Sequence, residues 1–258
     1  MRRPIIYAAL ILPVLALAWG VSLGTFPLGV PGEWEWSRVV PSDSLFLALL
    51  PALVGAGLYV GFAWLGAQSI SRCGRRGTAA WLGGLAAAGF AWLWVAQESA
   101  PENFQLSKAA WVLYYRGPSG YFSEARDLAG DLPQYLAGYE RKMTEGDVLH
   151  IGTHPPGLVV AMRGLIGLCR SAPELVDLLA FTESASARAA FDELKKREPL
   201  APIDRAVLWL AFLLVQACAS LTVIPLFGLC RMSCSRRASW QATAFWPAVP
   251  APSGFRKS

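Results

Sequence analysis

The 258-residue chain is 54% hydrophobic and only 16% charged, with eleven tryptophans and a mean hydropathy of +0.39; soluble domains usually carry about a quarter charged residues. That balance excludes an ordinary water-soluble domain. The formal net charge of +5 does not point to nucleic acid, because the basic residues gather at the ends of apolar blocks and no basic stripe with interleaved aromatics is present.

A hydrocarbon core about 30 Å thick requires roughly 20 apolar residues in a helix. Residues 5–24, 45–67, 78–96 and 206–229 meet that requirement and predict an all-α, multi-pass transmembrane protein. The first block starts like a secretory signal, but its apolar run is longer than the roughly 7 to 15 residues of such signals. It ends in Phe26-Pro-Leu-Gly-Val-Pro-Gly, so it reads as a retained anchor. Arg2 and Arg3 precede it, and Arg72, Arg75 and Arg76 fill the link between the second and third blocks. Positive-inside bias then puts the N-terminus and that link in the cytoplasm of a cell whose plasma (inner) membrane holds the protein. Gly57 and Gly61 form a GxxxG spacing that lets another helix approach closely. The five cysteines show neither a disulfide framework nor zinc spacing and read as small packing residues.

Residues 1–97 thus form three spans, and residues 98–155 form an external loop. The loop is rich in aromatics, from Trp111 through Tyr114, Tyr115, Tyr121 and Phe122 to Tyr135 and Tyr139, which argues for order. From Ser119 to Met143 it reads as two amphipathic helices, with Pro133 near the start of the second. Residues 156–204 combine an apolar run to Arg170 with a polar helical segment ending at Pro199 and Pro202. The apolar run is short and has Arg163 near its middle, which is costly inside a bilayer. Were it to cross, Arg231, Arg236 and Arg237 would fall on the external side; a re-entrant or juxtamembrane helix keeps them cytoplasmic, and that reading is preferred. Residues 205–258 hold a span containing Pro225, tolerated there, and a final apolar stretch at 238–250 too short to cross. The stretch predicts an interrupted span, and so a fragment of a longer protein.

Both histidines lie in His150-Ile-Gly-Thr-His154-Pro-Pro-Gly-Leu. Four-residue spacing would place them on one helix face for a metal, but Gly152 and the two prolines spoil that geometry. Proline drives His154 toward an extended conformation and opens a helix well at its first position. The segment predicts an extended approach, a rigid corner and a helix whose free amides favour anions such as phosphate.

These features resemble the integral-membrane glycosyltransferases of the C superfamily, particularly the protein mannosyltransferase and aminoarabinose transferase group. The resemblance rests on an acidic, aromatic external loop closed by Thr153-His154-Pro155-Pro156-Gly157-Leu158, and on the basic turn Cys230-Arg-Met-Ser-Cys-Ser-Arg-Arg-Ala-Ser-Trp240; it covers roughly residues 78–250. It implies a polyprenyl-phosphate sugar as donor and an external acceptor, with no nucleotide. A loop carboxylate would then orient or deprotonate the acceptor hydroxyl, while cations, helix amides or a divalent metal stabilise the departing phosphate. The chain departs from the family where an aspartate commonly precedes a tyrosine pair: Gly117-Pro118-Ser119-Gly120 precedes Tyr121-Phe122. Glu124 and Asp127, three apart and on one helix face, are the substitute catalytic carboxylates beside His154; the alternative is that they are solvated surface acids. His150, Arg116, Arg126 and Tyr121 are the candidate donor-binding residues. The rival reading is a noncatalytic membrane protein, a transporter piece or assembly partner, in which the double proline only starts a helix.

Overall fold

The computed structural model describes residues 12–21, 29–30, 34–35, 45–101, 105–116, 119–128, 131–144, 152 and 154–244. It is all-α apart from one two-residue ladder, and it divides into Met1–Ser44 and Leu45–Ser258. The first unit contains helix α1 (Leu12–Val21), the described part of the predicted anchor, and strands β1 (Gly29–Val30) and β2 (Trp34–Glu35), paired antiparallel with Val30 opposite Trp34.

Among the described residues of the second unit, three helices are long and apolar enough to cross a membrane: α2 (Leu45–Ser69), α3 (Arg75–Glu98) and the pair α11 (Pro202–Leu221) and α12 (Val223–Arg231). This is a membrane protein. The predicted spans and these helices agree to within a few residues at each end. The α11–α12 break at Thr222 has a local cause: Pro225 has no N–H to offer the Leu221 carbonyl, and its ring crowds that turn. Leu47, Leu53, Val54, Leu58 and Trp64 on α2 are more than half exposed, as a lipid-facing surface requires.

α3 and α11 run antiparallel. Trp94 packs edge-on against Trp209 at 5.4 Å, and the Gln216 side chain donates to the Phe90 carbonyl at 3.0 Å. Gln97 donates in turn to Gln216 Oε1 at 3.4 Å, a polar contact between helices of a kind that adds modestly to packing in lipid. The chain therefore leaves the span bundle at Glu98 and returns at Pro202 on the same end. Between them lie α4 (Ser107–Tyr114), α5 (Tyr121–Asp127), α6 (Leu132–Ala137), α7 (Tyr139–Thr144), α8 (Gly157–Ser171), α9 (Pro173–Thr182) and α10 (Ala185–Arg197). Two contacts close this excursion: Ser186 Oγ donates to Glu98 Oε1 at 2.6 Å, and Tyr114 Oη to the Pro199 carbonyl at 3.3 Å.

At 15 residues, α8 spans about 22 Å, short of the hydrocarbon thickness. Its stripe of Val159, Met162, Ile166 and Cys169 is buried in an apolar cluster with Phe122, Phe191, Leu208 and Trp209. Arg163, the cation that makes this run awkward as a span, donates to the Ala125 carbonyl at the end of α5 at 3.3 Å. The expected second amphipathic helix of the loop is split at Gly138 into α6 and α7, with Pro133 in the first turn of α6 as expected. The polar segment is likewise two helices, because the Ser184 hydroxyl accepts from the Ala187 N–H at 3.2 Å and starts α10 afresh. α11 is anchored by Arg205, whose guanidinium grips Glu183 through two bonds of 2.7 and 2.6 Å and reaches Asp192 at 2.8 Å.

A second cluster lies toward the opposite end, where α13 (Arg236–Ala244) packs against α2. Trp240 is fully buried and donates its indole N–H to the Ala63 carbonyl at 2.7 Å. Close approach occurs at Gly66, where a Cβ would overlap the Trp240 ring, and at Gly84, where it would lie 2.6 Å from Phe62 Cζ. Gly57 and Gly61, the GxxxG pair, have no atoms of the described residues within 4 Å of a built Cβ. Gly66→Ala is therefore expected to lower stability by about 1–3 kcal/mol through overpacking, and Gly57→Ala to change it by less than about 0.5 kcal/mol. Thermal unfolding in detergent checks this; equal effects of the two substitutions would contradict the packing.

Candidate functional site

The site is built on the turn from α4 to α5. Gly120 has φ +64°, and a Cβ there would meet the Arg116 backbone at 2.5 Å, so only glycine fits this reversal. The Gly120 N–H and the Ser119 hydroxyl both donate to the Val112 carbonyl, at 3.2 and 2.6 Å, and the Ser123 hydroxyl donates to the Tyr114 carbonyl. These bonds fold α5 back along α4. As a result Arg116, at the end of one helix, faces Glu124, in the first turn of the next.

Glu124 is buried, 9% exposed, yet it is ion-paired on two sides. Lys142 of α7 donates to Oε1, and Arg116 stands 3.8 Å from Oε2. Asp127 lies one turn further on, 3.5 Å from the same Arg116 and 2.9 Å from Arg126 Nε. Glu124, Asp127, Arg116, Lys142, Leu128 and Tyr135 line an open hollow of about 300 Å³. The predicted shared face of the two carboxylates is thus present, and Glu124 is a sequestered acid rather than a solvated one.

Arg126 stands behind the hollow. Its guanidinium lies over the Tyr114 and Phe122 rings at 5.2 and 5.6 Å, donates to the Tyr114 hydroxyl at 3.1 Å and lies 3.9 Å from Asp204. Burial lowers the affinity of this group for its proton, but the bonds to Asp127 and Tyr114 outweigh that and raise its pKa further above its ordinary value. Tyr121 is 6% exposed and packs in the cluster beneath α5. His154 is exposed; its carbonyl accepts from the Tyr139 hydroxyl at 2.9 Å, and Tyr139 packs edge-on against Tyr135 at 5.5 Å. That contact ties the double-proline corner to the wall of the hollow. His150 lies outside the described residues. Arg116, Glu124 and Asp127 therefore share the hollow, Arg126 buttresses it, and His154 is linked to it through two tyrosines.

Lys142 and Tyr135 were not among the sequence-derived candidates. Lys142 is 18 residues from its partner, across the Gly138 break, and no spacing rule couples them. Among the described residues the buried Tyr135 hydroxyl has no hydrogen-bond partner, and its ring lies 4.9 Å from Lys142 Nζ. An orphaned buried hydroxyl costs about 1–3 kcal/mol, so it is a donor available to a ligand. Burial, with Tyr139 adding to it, pushes the Tyr135 phenol up to about 12. The residues do not fit a divalent metal. Both carboxylates are bonded to cations, and among the described residues no three His, Cys, Asp or Glu side chains stand close enough to share an ion.

No family model, curated protein or solved structure matches this chain. The fold and the site define it as a multi-pass α-helical membrane protein with a charged, half-sheltered hollow at one end of its spans.

Two outcomes follow from this geometry. Lys142→Met leaves a buried carboxylate short of one partner and is expected to cost about 1–2 kcal/mol, discounted because the lysine is partly exposed; Glu124→Gln in the same chain should recover most of it. A double-mutant cycle on thermal stability measures this coupling, and additive losses would contradict the pair. An unfolded tyrosine ionises near 10, whereas folded Tyr135 keeps its proton to about 12. Stability present below about pH 10 is therefore lost as pH climbs toward about 12. Wild type should lose more melting temperature between pH 9 and 11, on the order of a few degrees, than Tyr135→Phe; equal losses would contradict the shift.

Proposed function

We propose that the hollow is the catalytic site of a glycosyltransferase-like protein that transfers a sugar from a polyprenyl-phosphate donor to an acceptor on the external face. The observation that supports it is the convergence of a buried carboxylate, two partly exposed cations and a hydroxyl without a partner among the described residues in one hollow, open at the end of a lipid-spanning bundle. Arg116 and Lys142 are 62% and 40% exposed along their side chains, so an arriving phosphate can draw them away from Glu124. Donor binding would then release the base. The acceptor hydroxyl gives its proton to Glu124 while its oxygen forms the new bond to the anomeric carbon. The bond from that carbon to the phosphate oxygen breaks, and its electron pair stays with the phosphate, held by Arg116, Lys142 and the Tyr135 hydroxyl. Asp127 keeps Arg116 oriented, and His154 stands at the rim. The arginines at the opposite end of the spans support a plasma-membrane orientation with that end and the N-terminus cytoplasmic.

One observation favours the rival, a noncatalytic membrane protein: both carboxylates are already satisfied by cations, as in a structural clamp. Purified protein in lipid nanodiscs separates the two. Retention of a radiolabelled polyprenyl-phosphate sugar, competed by polyprenyl phosphate but not by free sugar, is expected. Arg116→Ala with Lys142→Ala should weaken it at least about tenfold. Glu124→Gln should bind the donor yet lower transfer to acceptors in native membranes by about a hundredfold or more. No donor retention, or unchanged transfer by Glu124→Gln, would favour the clamp.

A further inference from the structure

Two turns meet at the end of the spans remote from the hollow: residues 70–74 between α2 and α3, and residues 232–235 between α12 and α13. Arg236 joins them, donating to the carbonyls of Ile70, at 3.5 Å, and Cys73. Its charge is thus committed to carbonyls of the turn that follows α2, near the C-terminal end of that helix, where a cation complements the helix dipole. Around it Arg72, Arg75, Arg76, Arg231 and Arg237 are all exposed. Arg231 gives one N–H to the Cys234 carbonyl at 2.6 Å. None of the five has a carboxylate partner among the described residues, and the sequence supplies none nearby: every acid after residue 44 lies between Glu98 and Asp204.

The contrast with the other end is sharp in chemical terms. There Arg116, Arg126, Lys142, Lys196, Arg197 and Arg205 all sit against carboxylates. Leu229 near the end of α12 and Met232 in the turn after it are also exposed, 64% and 82% accessible, among the arginines. Apolar side chains beside uncompensated guanidiniums suit the boundary between acyl chains and headgroups rather than open water.

We propose that these two turns form one binding surface for anionic phospholipid headgroups, with the arginine forks receiving phosphodiester oxygens. Arg236 fixes the register of the turns, and the five exposed arginines supply the charge. The lipid is a structural ligand at the end of the bundle opposite the proposed donor site, and its binding does not depend on that site being catalytic.

Native mass spectrometry and thermal unfolding of the full chain, with phosphatidylglycerol or phosphatidylcholine added to detergent, test this. Phosphatidylglycerol should be retained and should raise the unfolding temperature, and phosphatidylcholine should do neither to the same degree. Replacing Arg72, Arg75, Arg76, Arg231 and Arg237 together by Gln should abolish the preference, with single replacements weakening retention roughly fivefold each. A Lys195→Gln, Lys196→Gln control should keep it. Should the fivefold variant unfold, Arg72→Gln with Arg237→Gln serves in its place. Inorganic phosphate at equal concentration should leave the unfolding temperature unchanged, which separates a headgroup at the bilayer surface from free phosphate. Equal retention of both lipids by wild type, or an undiminished preference in the Gln variants, would overturn the proposal.

Discussion

Inside hydrocarbon a helix can pair its own backbone, but a charged side chain has no cheap partner and has to be carried to an end. The chain obeys this constraint strictly: residues 45–97 and 205–258 contain no aspartate or glutamate, and among the described residues their cations stand at helix ends or turns. Everything else follows from where that charge goes. Acids collect between the third and fourth apolar blocks, and uncompensated arginines collect at the other end. α11–α12 connects the two, with its first turns in the cluster around Trp209 and its last in the cluster around Phe227 and Trp240. At 30 residues it is about 45 Å long, longer than the hydrocarbon is thick, so its start projects into the acidic head. There the Arg205 fork holds Glu183, whose side chain is 2% exposed, and a buried carboxylate of that kind is tolerable only because it is paired.

In the hollow the pairing is of a different kind. Glu124 is as secluded as a core residue but is held by side chains that are themselves half in solvent. An exposed guanidinium and ammonium are exchangeable partners, whereas the Arg205–Glu183 fork is not. The Tyr135 hydroxyl adds a donor without a partner among the described residues. A ligand bearing a phosphate would meet all three at once, and it is this complementarity that supports the proposed transfer from a lipid phosphate over a clamp.

Much of the fold was legible because hydropathy and charge are one-dimensional signals. The three spans of the second unit, the Pro133 helix start and the shared face of Glu124 and Asp127 all come from spacing within a few turns. What sequence could not give is contact across breaks. Lys142 reaches Glu124 only because Gly138 splits α6 from α7, and Arg163 reaches the Ala125 carbonyl only because α8 packs on α5. Gly57 and Gly61 match a motif, but the glycine that a tryptophan covers is Gly66, and Trp240 lies 174 positions away. His150 lies outside the described residues, while the backbone carbonyl of His154 is tied to the hollow through the tyrosine pair.

The central claim is that the acidic head and the arginine turns stand on opposite sides of one bilayer. Single-cysteine labelling tests it most directly, with Glu140→Cys on α7 and Ser233→Cys in the α12–α13 turn, in a chain whose native cysteines have been replaced. In oriented vesicles, a membrane-impermeant maleimide is expected to label the two positions from opposite faces. Labelling of both from the same face would contradict the account.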